Sequence, residues 1–172
     1  IADAAGVSLS DLHKHYGSRV AILAAYIERI DGILLAGAKA DLEDTPRDRL
    51  FDVLMRRFDA LSPHKAGVRA VARDLSRDPL SLACLLPCFA RSMAWTLEAA
   101  GIGSGGLRGR LRARGLGLVY LSALRAWFED ETDDLAKTMA ALNRALDRAD
   151  SAVKSAPFGC LGGSEKEAAP VG

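Results

Sequence analysis

The sequence is poor in the residues that usually mark covalent stabilisation, metal binding or catalysis. Three cysteines and three histidines are present among 172 residues. An odd cysteine count without paired spacing argues against a disulfide framework. Cys84 and Cys88 lie in an apolar run, far in sequence from His13, His15 and His64, which favours small buried thiols over a metal site. No histidine is paired with a nucleophile, so the sequence predicts no enzyme, no metal and no cofactor.

Net charge and long apolar runs are also scarce. The formal net charge is +1 at pH 7, which excludes a bulk attraction to nucleic acid and leaves any DNA contact to a local patch. We recognise no signal peptide and no uninterrupted apolar stretch of membrane-spanning length, so we expect a cytoplasmic protein without a stable membrane span. Hydrophobic residues make up 49% of the chain, which is enough to fill a globular core.

Strand signals are missing, and apolar residues recur at helical spacing instead. Thr45-Pro46 and Asp78-Pro79 place a capping residue before proline, which is typical of a helix start. The glycine-rich run 101–106 is the one conspicuous loop. The sequence therefore predicts an all-α protein with a disordered tail at 156–172; its helices are expected over 8–15, 18–42, 46–61, 65–75, 79–100, 107–128 and 132–155.

The beginning of the chain has the mechanics of a helix-turn-helix. A helix ends at Gly6, Ser8 can cap a short second helix, and Ser18 can cap the long helix that follows. The helical pattern already includes Ile1, so we expect further residues upstream that supply the first helix of this unit. In the short helix we expect three apolar side chains to pack inward, namely Leu9, Leu12 and Tyr16. The polar side chains would then face outward, namely Ser10, Asp11, Lys14 and His13.

This beginning resembles the TetR family of transcription regulators. The matching residues are Ile1-Ala2, Ala5-Gly6-Val7-Ser8, Leu12-His13, His15-Tyr16, Ser18-Arg19 and Ile22-Leu23. The resemblance implies a TetR-like fold, with a partial DNA-binding head at 1–17 that lacks its first helix and a ligand-binding and dimerisation body at 18–155. It also implies a recognition helix over 8–15 that contacts double-stranded DNA through Ser8, Ser10, Asp11, His13, Lys14, His15 and Arg19.

Three positions in the head decide how well it could bind DNA. His13 stands where the family usually has a phosphate-contacting tyrosine, and Arg19 stands where it has a lysine. Asp11 places a negative charge near the negatively charged phosphates of DNA, although a carboxylate can accept a hydrogen bond from the amino group of cytosine. Within residues 1–20, Lys14 and Arg19 only balance Asp3 and Asp11. The alternative is a head that keeps the fold without reading DNA.

The end of the body resembles a second family, the lipid-binding ninth Coq protein of ubiquinone biosynthesis. The matching residues are Tyr120, Trp127, Asp130, Asp133-Asp134, Thr138, Leu142 and Arg144. This resemblance implies an apolar cavity for an isoprenoid-type lipid, with candidate lining residues Leu82, Leu86, Phe89, Met93, Trp95, Leu118 and Trp127. The same residues also suit a plain hydrophobic core. The acidic run 130–134 equally suits the capped start of a final helix.

The sequence thus supports two functions of different kinds. The first is a homodimeric TetR-type regulator that responds to an apolar small molecule and dimerises through the last two helices, 107–128 and 132–155. The second is a lipid- or isoprenoid-binding accessory protein of ubiquinone biosynthesis with a vestigial head. Arg108, Arg110, Arg112 and Arg114 form either a solvated helix start or a site for an anionic head group or acidic partner.

Overall fold

The computed structural model describes residues 2–37 and 44–155, and every regular element within these ranges is helical, which confirms the all-α prediction. Residue 1, the segment 38–43 and the predicted tail, which contains Cys160, lie outside the described residues. A 3-10 turn at Ser62–His64 joins the helix that ends at Leu61 to the helix that begins at Lys65. The helices in chain order are α1 (Ala2–Ala5), α2 (Leu9–His15), α3 (Arg19–Ala36), α4 (Pro46–Leu61), α5 (Lys65–Leu75), α6 (Pro79–Ala99), α7 (Gly106–Glu129) and α8 (Ala136–Ser155).

Side-chain caps set the beginnings of three longer helices, α3, α4 and α6. The hydroxyl of Ser18 accepts from the backbone N–H of Ala21 at 3.1 Å, and Thr45 accepts from Asp48 at 3.2 Å. The carboxylate of Asp78 does the same for Ser81 at 3.1 Å. Each cap satisfies a backbone donor that the first turn leaves free. Because these interactions are local, the predicted starts of α3, α4 and α6 agree with the structure.

The last helix begins later than predicted. We expected it from residue 132, whereas α8 begins at Ala136. The Thr132 hydroxyl donates to the buried carboxylate of Asp130 and accepts from the Ala136 N–H at 3.1 Å. Leu135 adopts a φ of 54°, in the left-handed region. The chain therefore makes a tight, hydrogen-bonded turn before the helix starts.

The core lies between α3, α4, α6, α7 and α8. Its largest fully buried apolar side chains come from four of these helices, namely Leu54, Phe58, Met93, Trp127 and Leu142. A short loop joins α6 and α7 into an antiparallel hairpin. At the contact a Cβ on Gly117 would lie 3.0 Å from the ring of Phe89, so a larger residue there would require the ring to move by a few tenths of an ångström.

Two sequence expectations concern α6. Its residues Pro79–Ala99 are long and apolar enough, by length and composition alone, to cross a membrane, so the expectation of a chain without a stable membrane span stays a prediction. The helix packs against α3, α4 and α7 with one face in the core, and core helices pass the same test. Cys84, expected to be buried, is exposed, and Cys88 is half-buried. The apolar run alone could not predict this, because the burial of each thiol depends on which helices pack against that side of α6.

Candidate DNA-binding head and its link to the body

The short helix α2 is held by caps at both of its ends. Ser8, in extended conformation, accepts from the Asp11 N–H at 3.0 Å. Tyr16 closes the helix through its N–H to the Leu12 carbonyl at 2.9 Å. Gly6, with a φ of 64°, supplies the left-handed turn between α1 and α2. The local geometry is therefore helix, short turn and helix, as the sequence predicts.

All seven residues predicted to contact DNA are exposed. The Ser8 hydroxyl, besides capping, donates to Asp11 at 2.7 Å. Lys14 pairs with Asp11 at 3.0 Å. These hydrogen bonds from Ser8 and Lys14 hold the pKa of Asp11 below its usual range, so the carboxylate stays ionised near neutral pH. Ser10, His13, His15 and Arg19 complete the set, and the head carries little net positive charge.

A groove of about 470 Å³ opens beside α2. Its walls are mainly apolar and include Leu9, Leu12, Tyr16 and Ile22, with His13 and Arg19 at its edge. Ser10, Asp11 and Lys14 do not line it, so they lie on other faces of the helix. The head thus has an apolar side and a polar side.

The inward packing predicted for the head is only partly present in the described residues. Leu12 is half-buried, but Leu9 is 76% exposed and Tyr16 is 36% exposed. No residue of α2 is buried. The prediction for Leu9 is wrong for these residues because no described segment lies across the groove that it lines.

The seven candidate lining residues of a lipid cavity do not gather in one place. Met93 and Trp127 are fully buried in the core, and Phe89 is half-buried against the ring of Tyr120, with ring centres 6.0 Å apart. The other four lie on the surface, namely Leu82, Leu86, Trp95 and Leu118. Trp95 is two residues after the inward Met93, so the helical turn directs it to the opposite side of α6.

A buried ion pair links the helix that bears the head to the body. Asp31 of α3 pairs with Arg57 of α4, and their side chains are 9% and 4% exposed. The Ser92 hydroxyl of α6 donates to Asp31 at 2.6 Å and accepts from Arg57 at 2.8 Å. We call these three residues the α3 latch. It joins three helices at one point inside the protein.

Aromatic side chains surround the α3 latch. The guanidinium carbon of Arg57 lies 5.6 Å from the ring centre of Tyr120, which stacks on Phe58 at 5.4 Å. Burial raises the pKa of Tyr120 to about 12. The Arg57 Nε, the Tyr26 hydroxyl and the Trp127 Nε1 are buried without a hydrogen-bond partner among the described residues. Three polar atoms therefore remain unsatisfied in this region.

Sequence reasoning did not identify the α3 latch, although a signal was present. Asp31 follows Ile30 in the apolar stripe of α3, and Arg57 lies beside Phe58 on the apolar face of α4. A charged residue on an apolar face is seldom left unpaired in a folded protein. Two such residues on two helices indicate a buried pair.

Comparison with protein-family models, curated proteins and solved structures gives no match for this chain.

Proposed function

We propose that the protein is a TetR-type DNA-binding transcription regulator that works as a homodimer and responds to an apolar ligand in its helical body. The observation that carries this proposal is the geometry of α2. It is a capped helix next to the start of α3, and its polar residues Ser10 and Lys14 are exposed away from the apolar groove. A recognition helix needs this separation to enter a major groove.

The charge of the head limits how it would bind. Lys14 is neutralised in part by Asp11, so contact with a phosphate would exchange one ionic partner for another. Arg19, in the first turn of α3, is exposed, and its charge adds to the hydrogen bonds from Ser81 that lower the pKa of Asp78. We therefore expect few phosphate contacts and an affinity that depends on both residues.

The α3 latch would transmit a signal from the body. Because α3 carries the head, any change in how Asp31 meets Arg57 and Ser92 changes the direction in which the head points. A ligand shifts this equilibrium only if it binds one arrangement more tightly than the other. The body helices around Asp31 are thus where ligand binding and head spacing would be coupled.

DNA binding tests the regulator proposal. We expect the full-length protein to select a preferred duplex from a random pool. Lys14→Ala and Arg19→Ala should each weaken binding and lower the salt slope by about 0.9, as expected for one lost phosphate contact. The measurement is fluorescence anisotropy between about 50 and 200 mM salt, a range over which counterion release is readily resolved.

Lys154→Ala is the matched control for this experiment. Lys154 also pairs with an aspartate one turn earlier, Asp150, but it lies near the end of α8. Its loss should leave the salt slope unchanged. If no duplex is preferred at low salt, or if all three variants behave alike, the head does not read DNA.

The unsatisfied atoms near the α3 latch favour a second function, a lipid- or isoprenoid-binding accessory protein of ubiquinone biosynthesis. Tyr26, Arg57 and Trp127 each offer a buried donor without a described partner, and an apolar ligand with carbonyl acceptors would satisfy them.

Native mass spectrometry tests this second function, and we expect the purified protein to carry such a ligand. Trp127→Phe, which removes the indole N–H donor and keeps an aromatic ring, should reduce the occupancy of this ligand. A chain found empty contradicts this function.

A further inference from the structure

We propose that the exposed apolar face of α7 docks a second copy of this chain, with the two α7 helices antiparallel. Four leucines protrude from this face, each between 43% and 73% exposed: Leu107, Leu111, Leu118 and Leu121. Arg114 and Arg125 complete an alternating spacing of four and three residues, which is the spacing of a helix–helix seam. We call positions 107, 111, 114, 118, 121 and 125 the α7 stripe.

Charge selects the orientation of the partner. The first half of α7 carries Arg108, Arg110, Arg112 and Arg114, whereas its only acidic residue is Glu129 at the end. The turn that follows adds three exposed acidic side chains, namely Glu131, Asp133 and Asp134. Two-fold antiparallel pairing lays the basic end of each helix over the acidic end of its partner. Parallel pairing would bring like charges together.

The α7 stripe is also compatible in shape with its own copy. The midpoint of the 24-residue helix falls between Gly117 and Leu118. A two-fold axis there brings Leu118 against the partner's Leu118 and places Leu121 near the partner's Gly115, where a Cβ would meet nothing within 4 Å. At 1.5 Å per residue, Arg108 and the partner's Glu129 then differ by about 3 Å along the helix axis.

The size of the stripe indicates which helix completes the interface. A helix of this length presents a strip of about 360 Å², roughly half of the ~800 Å² per partner in a stable complex. On α6, Leu82 and Leu86 are also exposed, and the following turn packs on α7 at Phe89. We therefore assign the remaining area to the first half of α6.

The TetR resemblance implies that α8, the other neighbour of α7, completes the interface. The surface of α8 does not suit this role. Its exposed residues include Lys137, Arg144, Asp147 and Arg148, and in the described residues Val153 is its only exposed large hydrophobic side chain. Ala145, a small residue that would suit close packing against a partner, is buried in the core of its own chain. The interface thus involves α6 and α7 rather than α7 and α8.

Sedimentation velocity of the full chain tests the proposal. We expect the wild type to dimerise, and Leu118→Glu to weaken dimerisation at least about tenfold, because the leucine is exposed in the monomer and buried only in the pair. Val153→Glu makes the same apolar-to-acidic change at an exposed position of α8 and should leave the dimer intact. A wild type that is monomeric at about 100 µM, or a dimer broken by Val153→Glu and not by Leu118→Glu, overturns the proposal.

Cross-linking and charge reversal test the orientation. In a chain without its native cysteines, Leu118→Cys should give a covalent dimer on oxidation, because the axis brings the two copies together, whereas Ala140→Cys on α8 should not. Arg108→Glu should weaken the dimer, because it places two acidic side chains together at the partner's Glu129, and adding Glu129→Arg should restore it. Cross-linking at position 140 instead, or no restoration, overturns the antiparallel arrangement. None of these outcomes depends on DNA binding by the head.

Discussion

Asp31→Asn is expected to lower the free energy of unfolding by about 3–5 kcal/mol, which is typical when one partner of a buried ion pair is removed. The change keeps the size of the side chain, so packing around it is preserved. What it removes is the negative charge that faces Arg57, whose own side chain is 4% exposed. The guanidinium would then remain buried with only neutral groups to stabilise it, namely the amide oxygen at position 31, the Ser92 hydroxyl and the ring of Tyr120.

A second change in the same chain separates charge from packing. Arg57→Met removes the buried cation and keeps a flexible apolar side chain, so the pair Asp31→Asn with Arg57→Met should be more stable than Asp31→Asn alone. Urea unfolding measures the free energy of unfolding of the single and the double variant. Both are compared at one protein concentration, because the stability of the proposed dimer would depend on concentration. A constant m-value would show that the change lies in stability alone.

The surface offers a matched control for the α3 latch. Glu28, also on α3, pairs with Arg91 of α6, and their side chains are 60% and 55% exposed. Glu28→Gln should therefore cost no more than about 1 kcal/mol. If Asp31→Asn costs as little as Glu28→Gln, the α3 latch does not hold the helices together.

Gly109→Ala is expected to destabilise the protein by about 1–3 kcal/mol, the range for overpacking a well-packed site. A Cβ at this position would overlap the backbone of Ser104 in the preceding loop. Backbone atoms cannot rotate away as a flexible side chain can, so the loop or the first turn of α7 must shift. The sequence around Gly109 is a run of arginines and gives no indication that this position requires a residue without a Cβ.

Gly67→Ala is the matched control for Gly109→Ala. Gly67 lies within α5, is exposed, and has no atom within 4 Å of an added Cβ. Alanine there should stabilise the helix by about 0.5–1 kcal/mol because it reduces the entropy of the unfolded chain. Thermal unfolding of both variants is the measurement, and a shift in the same direction for both would contradict the steric explanation.

What could be predicted from the sequence depended on how local each interaction is. Ser18, Thr45 and Asp78 cap helices through groups three residues away, so their effect is visible in a short window. The direction of Leu82 and Leu118 depends on which helices lie alongside them, and it was the resemblance to the ninth Coq protein family that placed both in a cavity. Burial was therefore the least predictable property of the apolar residues.

The α3 latch and the start of α8 show two other limits. Asp31 and Arg57 are 26 residues apart, and their pairing requires α3 and α4 to be packed already. Asp130 takes hydrogen bonds from Thr132 and Thr138, which hold its pKa well below its usual range despite its burial. The acidic run 130–134 predicted that a helix start is capped there. It did not show that Asp130, rather than one of its acidic neighbours, is the buried residue that accepts from the first turn of α8.

The sparse packing of α2 has a thermodynamic consequence. Seven residues are too few for a helix to be stable on its own in water, and none of those in α2 is buried. Its order then rests on the Ser8 cap and on whatever surface covers Leu9 and Leu12. If α2 binds DNA, binding also completes the folding of this helix. DNA binding then has a negative heat-capacity change and a larger entropy cost than the docking of a rigid helix would have.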